Sequence, residues 1–416
     1  MNDFVDLVAR QLAADLRAAP DGARRRFSDE GRAARCQTID DLRAMAKRTV
    51  PQPIFDYVDG AAWDEVTVRR NRTGFERFEL LPRMLVDVSH IEMSTTALGR
   101  EIALPIIGAP TGMTGLNHPD GEGAIARAAH SVGTIYTQSA LSSLSIEEVS
   151  AMAPGPKWFQ LYVMNDRGAA RDMLARAAAH GYEALVLTVD VAVAGVRERD
   201  IRNRFSLPPR LTVKAAAQGV VRPRWSRRFL TRPRLATGNV RSPRLAEGDG
   251  GAVAHAEWVN RQFDPTVTWE DLAEFREHWP GPLLIKGIMR PDDAVRAVEH
   301  GIEGIIVSNH GGRQLDHAQS TIEALPAIAD AVAGRAELYL DGGIRRGTDI
   351  VTALALGARA VLIGRPMVYG LGAAGEAGAR RAFELLRGEL ATALALAGYP
   401  RISDLGPDAI KVRSYA

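Results

Sequence analysis

Eight short apolar runs, set apart by stretches of helical character, constrain this chain more than any other feature. They lie at 104–109, 134–137, 158–163, 184–189, 283–285, 304–307, 337–340 and 360–363, and stretches such as 121–132, 167–180 and 291–300 fall between them. Near-continuous apolar runs suit strands buried on both faces, which is the habit of parallel sheets. Strand alternating with helix predicts a parallel sheet, and eight such units predict a closed (β/α)8 TIM barrel. A doubly wound sheet is the competing arrangement, but it has fewer units and a Gly-rich turn after its first strand.

The 416 residues leave room for one barrel of about 250 residues plus insertions. A hydrophobic content of 46% and a charged content of 25% are ordinary for a soluble globular protein. A formal net charge of +2 gives no reason to expect nucleic acid as a partner. Cys36 is the single cysteine, which excludes an intrachain disulfide and any cysteine-held iron–sulfur cluster. No apolar stretch reaches the roughly 18 residues of a membrane-spanning helix. Asp3 and Asp6 sit where a secretory signal would need an apolar core. A cytoplasmic location is expected.

Polar residues recur at or just past the ends of the runs. They are Thr111, Ser139, Gln160 with Tyr162, Thr188 with Asp190, Lys286, His310 with Arg313, Asp341 with Arg345, and Arg365. Barrel enzymes build their sites in this way, from the carboxyl ends of many strands. The densest group, Ser308-Asn309-His310-Gly311-Gly312-Arg313-Gln314, brings a base and an anion clamp into one loop. That pairing suits proton abstraction next to a carboxylate. Asp341-Gly342-Gly343-Ile344-Arg345-Arg346-Gly347 and Gly364-Arg365-Pro366 follow the last two runs, where barrels hold a cofactor phosphate. Glycines let backbone N–H groups approach a phosphate, and arginines add paired contacts. Lys286 would set a positive charge against a flavin that gains negative charge on reduction. Gly370-Leu371-Gly372-Ala373-Ala374-Gly375 matches the dinucleotide fingerprint in letters only, since no strand follows it. No metal-ligand spacing is present, so no metal site is expected.

Residues 1–37 read as an N-terminal extension too short to hold a core, leaving 38–416 for the barrel. Thr38 is an N-cap signal for a helix ended by Pro51, and a compact helix carrying Tyr57 follows. Between the fourth and fifth runs lies an insertion, about 201–268, that is rich in arginine and holds no acidic residue from 201 to 246. Trp225, Phe229 and Leu230 are interleaved with its cations. A solvated loop and an anionic membrane surface are both open readings, and no nucleic-acid motif supports a third.

In these motifs the chain resembles the FMN-dependent L-2-hydroxy acid oxidase and dehydrogenase family, which includes glycolate oxidase, respiratory L-lactate dehydrogenases and (S)-mandelate dehydrogenase. The 308–314 loop carries the resemblance, with Phe55-Asp56-Tyr57, Ala109-Pro110-Thr111-Gly112, Trp158-Phe159-Gln160-Leu161-Tyr162, Leu187-Thr188-Val189-Asp190, Lys286-Gly287 and Asp341-Gly342-Gly343-Ile344-Arg345-Arg346 in the same order. The resemblance implies that FMN is bound by Pro110, Thr111, Gly112, Ser139, Gln160, Thr188, Lys286, Ser308, Asp341, Gly343, Arg345, Gly364 and Arg365. It implies His310 as base with Asp190 holding its imidazole, Arg197 and Arg313 clamping the substrate carboxylate, and Tyr57 and Tyr162 bonding the carboxylate and hydroxyl. His310 serves whether the α-hydrogen leaves as hydride or as proton. Leu141 stands where plant glycolate oxidase has a tryptophan, which favours a substrate longer than glycolate. Gly112 replaces the alanine common in oxidases near the reactive flavin nitrogen. The resemblance further implies a homotetramer and no haem domain. For the acceptor it leaves open quinone, with the protein peripheral on the inner face of the plasma membrane, or oxygen, with peroxide formed. A non-catalytic FMN-binding barrel is disfavoured by the full set of catalytic residue types.

Overall fold

The structure, a computed structural model, describes residues 28–203, 219, 221–234, 237–239 and 263–413. Residues 1–27 and the cations Arg204, Arg210, Lys214, Arg241 and Arg244 lie outside the described residues. Among the described residues, four helices come first: α1 (Asp29–Ala34), α2 (Ile39–Thr49), α3 (Gln52–Asp59) and α4 (Val66–Thr73). As the sequence predicts, Thr38 caps α2; its hydroxyl accepts from Asp41 N at 3.1 Å while the Asp41 carboxylate accepts from Thr38 N at 3.0 Å. Strands β1 (Phe78–Leu80), β2 (Thr95–Ala97) and β3 (Arg100–Ile102) follow. The β2–β3 hairpin covers the amino end of the barrel, where Leu98 N donates to Glu337 at 3.0 Å.

The chain then alternates β4 (Ile106–Gly108), α5 (Gly121–Ser131), β5 (Tyr136–Ser139), α6 (Ile146–Met152), β6 (Lys157–Tyr162), α7 (Arg167–Ala179) and β7 (Ala184–Thr188). Across the insertion come α8 (Glu198–Arg202), α9 (Pro223–Thr231) and α10 (Leu272–His278). The second half supplies β8 (Leu283–Ile288), α11 (Pro291–Glu299), β9 (Gly304–Val307), α12 (Thr321–Val332), β10 (Glu337–Asp341), α13 (Gly347–Ala355), β11 (Ala360–Ile363) and α14 (Arg365–Ala397). A last strand, β12 (Ile410–Val412), pairs antiparallel with β1. Strands β4 to β11 form a closed parallel barrel in the order β10-β11-β4-β5-β6-β7-β8-β9. All eight predicted runs are strands of it, with ends that move by a few residues.

Burial explains why those runs behave as strands. Every residue of β4, β5, β7, β9 and β11 is buried, so each is covered on both faces. Trp158 and Tyr339 meet edge-on at 5.5 Å between centroids and, with Phe159 and Tyr136, fill the core. A phenylalanine such as Phe159 contributes about 1.5–3 kcal/mol by leaving water.

The dinucleotide-like letters fall inside α14. Its helix kinks at Ala374 and Gly375, and Gly370 and Gly378 face each other so closely that a Cβ on Gly370 would lie 2.1 Å from the Gly378 carbonyl oxygen. Those glycines serve helix packing. The end of the N-terminal extension is also packed: Ala33 and Cys36 join the core, and Arg32 donates to the Ala373 carbonyl at 2.9 Å.

Helix α9 lies down on the barrel. Trp225 Nε1 donates to the Leu116 carbonyl at 2.8 Å and stacks on Phe229 at 4.6 Å, and both rings pack against the core. Arg228 pairs with Asp29, Arg232 with Asp120 at 3.0 Å and Arg234 with Glu148 at 2.9 Å. Two of the three apolar anchors, Trp225 and Phe229, thus face inward. Val221, Arg227, Leu230 and Arg232 are among the residues that α9 and its flanks turn outward.

Candidate active site

A cavity of about 330 Å³ opens at the carboxyl end of the barrel and is lined from every strand or the loop after it. Pro110, Thr111 and Gly112 follow β4, Leu141 follows β5, and Gln160 and Tyr162 end β6. Thr188 and Arg197 come from β7 and its loop, Lys286 from β8, His310 and Arg313 from the loop after β9. Asp341, Gly343 and Arg345 follow β10, Gly364 and Arg365 follow β11, and Tyr57 reaches in from α3. Among the residues singled out from sequence, Asp190, Ser139 and Ser308 stand behind this lining and hold those in front.

Asp190 Oδ1 lies 2.9 Å from His310 Nδ1. Burial alone would raise its pKa, yet the charges of His310 and Lys286 outweigh burial and lower it. An ionised carboxylate can only accept, so Nδ1 carries a proton whether or not the ring is charged, and in the neutral ring Nε2 is free to accept one. The His310 ring stacks on Tyr162 at 6.3 Å. Burial pushes the Tyr162 phenol well above its usual range, so it is a hydrogen-bond donor at neutral pH.

The 308–314 loop explains itself residue by residue. Ser308 Oγ accepts from Lys286 Nζ at 2.9 Å and from His310 N at 3.1 Å. Asn309 and Asn71 exchange amide hydrogen bonds, both 2.8 Å. His310 is held at φ 57°, a conformation L-residues avoid, followed by Gly311 and Gly312 at 64° and 75°. A Cβ on Gly312 would lie 2.7 Å from Val68 N of α4. Gln314 donates to the Asp190 and Val193 carbonyls, each at 3.2 Å, and accepts from Gly195 N at 2.9 Å. It fixes the loop that carries Asp190. Gly287, at φ 114° in a bulge of β8, lets Asp190 in; a Cβ there would lie 2.7 Å from Asp190 Cβ.

Cations crowd the substrate side. Arg313 donates to the Tyr57 and Gly60 carbonyls at 2.6 and 3.1 Å and sits 5.1 Å from the Tyr57 ring. Burial and then the nearby Arg197 bring its pKa down to about 10. Arg197 pairs with Asp200 at 2.9 Å. A buried guanidinium whose charge is opposed by its neighbours is suited to an anionic ligand.

The opposite side fits a flavin and its phosphate. Ser139 Oγ donates to Gln160 Oε1 and Gln160 Nε2 to Thr188 Oγ1, both 2.9 Å, which orients the Gln160 amide across three strands. Thr111 Oγ1 and Asp341 Oδ1 are buried without a protein partner, and both residues line the cavity. Lys286 Nζ lies 3.3 Å from Asp341. Burial would lower its pKa, but Asp341 and Asp190 raise it, so it remains a cation. Gly342 and Gly343 run at φ 96° and 86°, with Gly343 against α4, where a Cβ would overlap the Asn71 carbonyl oxygen. Arg345 is buried over the Tyr369 ring at 5.8 Å and donates to the Ile344 carbonyl at 2.7 Å. Arg365 also lines the cavity, and its guanidinium donates to the carbonyls of Val58, Gly311 and Gly60 at 3.0, 2.9 and 2.8 Å. Its side chain ties the site together, while its backbone opens α14, whose N-terminus favours an anion.

Sequence reasoning missed several contributors. Glu122 of α5 is fully buried and accepts from Thr114 N, Ser143 N and Leu144 N at 3.0, 2.9 and 3.2 Å, joining the loops after β4 and β5. A glutamate in a helix carries no local signal of that task. Val191, Ala194, Thr237 and Phe263 also line the cavity. The last two come from the insertion, and only the folded chain brings them here.

Residues 46–412 match the family of FMN-dependent dehydrogenases. A protein of Nostoc sp. named L-lactate oxidase is 46% identical over 369 residues, covering 88% of this chain and 95% of its own. An L-lactate dehydrogenase of Stenotrophomonas maltophilia is 43% identical over 372 residues, covering 89% and 97%. The solved structure of (S)-mandelate dehydrogenase, described as a monotopic membrane protein, superposes with a TM-score of 0.86 at 38% identity, over 91% of this chain and 100% of that one. With this match spanning the barrel, the chain belongs to the FMN-dependent dehydrogenase family.

Proposed function

We propose that this protein oxidises an L-2-hydroxy acid, lactate- or mandelate-like, to the 2-oxo acid. The observation that carries the reading is the Asp190–His310 pair at 2.9 Å beside the buried Arg313 in one cavity. Arg313 and Arg197 bind the carboxylate, which fixes the α-carbon and hydroxyl of the same substrate. His310 Nε2 takes a proton from the substrate, and the Asp190 carboxylate steadies the imidazolium that results. Tyr162 and Tyr57 are within the same lining and donate to substrate oxygens. FMN, when bound, supplies the acceptor for the two electrons the substrate gives up. Leu141, Val191, Ala194 and Phe263 are apolar and suit a side chain larger than that of glycolate. The family and the relatives' names support the same reaction class. Anaerobic addition of L-lactate, (S)-mandelate and glycolate to the yellow protein tests it. Bleaching by at least one of them is expected; a flavin left oxidised by all three rejects the reading.

For the acceptor, we infer a dehydrogenase that hands electrons to quinone or a similar carrier at an anionic surface, reached by Arg227, Val221 and Leu230. A second reading, an oxidase using oxygen, is favoured by the inward packing of Trp225 and Phe229, which removes the apolar anchor from the surface. Stopped-flow reoxidation of the substrate-reduced protein by air-saturated buffer and by a water-soluble quinone separates the two. Faster reoxidation by oxygen selects the oxidase.

A further inference from the structure

We propose that Thr237 and Phe263, which flank the undescribed part of the insertion, form the wall that sets substrate side-chain size. Asn239 and Asp264 are the positioning residues that hold this wall in place. The inference rests on the 2-hydroxy acid reading above and deepens it.

Both wall residues line the active-site cavity although they belong to the insertion between β7 and β8. Phe263 meets the Tyr162 ring edge-on at 5.3 Å, and Tyr162 in turn stacks on His310. Phe263 therefore bounds the cavity and also fixes the plane of a ring next to the base. It is itself fixed. Residue 263 forms an antiparallel bridge with Met164, Asp264 N donates to the Val163 carbonyl at 3.1 Å, and Asn165 donates to the Phe263 carbonyl at 3.1 Å. Arg167 of α7 holds the Asp264 carboxylate at 2.8 Å.

The other flank is anchored as firmly. Asn239 is buried, and its side chain accepts from Ile146 N at 2.8 Å and donates to Ser142 Oγ at 3.1 Å. Ser142 also accepts from Gln138 at 2.8 Å, so Asn239 completes a polar network of the barrel itself. Gly238 N donates to the Ser142 carbonyl at 2.8 Å, and a Cβ on Gly238 would lie 2.4 Å from Ser145 N. Only glycine lets the chain settle that close. Thr237 is thus carried to the cavity by the two residues after it. Neither clamp bonds directly to Arg197, Arg313 or the side chains named for the flavin, so the wall can change with the cofactor retained.

The test uses the FMN-loaded full chain with Phe263→Ala, Phe263→Leu and Asn239→Ala. The ratio of kcat/KM for (S)-mandelate over L-lactate is measured, together with dissociation constants of the two matching 2-oxo acids from flavin absorbance. Removing the ring opens room that a phenyl can fill and loosens a methyl, so Phe263→Ala is expected to raise the ratio about tenfold. Phe263→Leu restores much of the discrimination. Asn239→Ala moves the ratio and the oxo-acid constants in the same direction by less, with FMN content unchanged. A ratio within about twofold of wild type in Phe263→Ala, with unaltered oxo-acid constants, overturns the wall; the same result in folded Asn239→Ala overturns its positioning role. If wild-type flavin is bleached by no 2-hydroxy acid, it is the underlying reaction that fails.

Discussion

His310 occupies left-handed backbone at φ 57°, which costs about 1–3 kcal/mol in a residue with a side chain. The surrounding bonds over-determine it: Ser308 caps its N–H, Asn71 and Asn309 lock the loop, and Asp190 holds the ring. Strain kept by so many contacts marks a group whose position matters more than its comfort. His310→Ala is expected to keep FMN and to lower flavin reduction by about 10²–10⁴-fold, the usual worth of a general base. Asp190→Asn should also reduce the rate, because the amide no longer fixes the protonated Nδ1. Anaerobic stopped-flow reduction measures both; a His310→Ala protein reduced at the wild-type rate rejects the base. Arg313→Ala should raise KM and lower the reduction rate without loss of FMN, since its guanidinium serves the substrate side.

At the scale of elements, α3 is riveted to its neighbours by Asp59. Arg43 of α2 donates to it at 2.6 Å, Tyr369 of α14 at 2.7 Å and Arg199 of α8 at 3.0 Å. Burial would raise the carboxyl pKa, but the bonds from Arg43 and Tyr369 prevail and bring it to about 2. A depressed carboxyl stabilises the fold above its unfolded pKa, and that contribution is lost as pH falls toward the folded value. Asp59 therefore adds roughly 2 kcal/mol at neutral pH, fading between about pH 4 and pH 2. Asp59→Asn should lower Tm near pH 7 and shrink the difference from wild type over that acid window. An undiminished difference at pH 2 would falsify this linkage. On the phosphate side, Arg345→Ala should weaken FMN retention, read as free FMN in a filtrate. Arg365→Ala should weaken it and also loosen Val58, Gly60 and Gly311, whose carbonyls it collects.

For the whole molecule, the insertion is the part whose reading changes most. A basic segment with Trp225, Phe229 and Leu230 suggests a removable membrane anchor, and on that view deleting it would leave chemistry intact. In the fold, Trp225 and Phe229 pack inward, Arg228, Arg232 and Arg234 pair with acids of the body, and Thr237 enters the cavity. Removing 221–239 is therefore expected to impair substrate reduction as well as any surface binding. Outward groups such as Val221, Arg227, Leu230 and the exposed Arg232 predict salt-reversible attachment to anionic vesicles without deep insertion, as each cation near such a surface contributes about 1 kcal/mol. Co-sedimentation at low and high salt measures the attachment, and lipid-borne quenchers should leave Trp225 emission intact. Quenching of Trp225 would mean that α9 undocks and inserts. No helix among the described residues is long and apolar enough to cross a membrane.

The sequence by itself determined the barrel and most of its rim. Runs such as 304–307 are apolar on both faces because helices cover one side and the barrel core the other, so burial wrote the pattern directly into composition. The rim was legible for a related reason: residues that follow a buried strand emerge at one edge, so His310, Lys286 and Asp341 fell into place by counting. Tertiary structure decided what depends on contact between distant segments. Ser139, Ser308 and Asp190 lie behind the lining, and Arg365 spends its side chain on carbonyls of α3 and the 308–314 loop. Glu122, Asn71 and Gln314 act on groups that are not their neighbours in sequence. Which way the rings of α9 face was settled by acids at 29, 120 and 148 and by the Leu116 carbonyl, none of which is near α9 in sequence. An amphipathic helix fixes that it has an apolar face; only the surface it meets fixes where that face points.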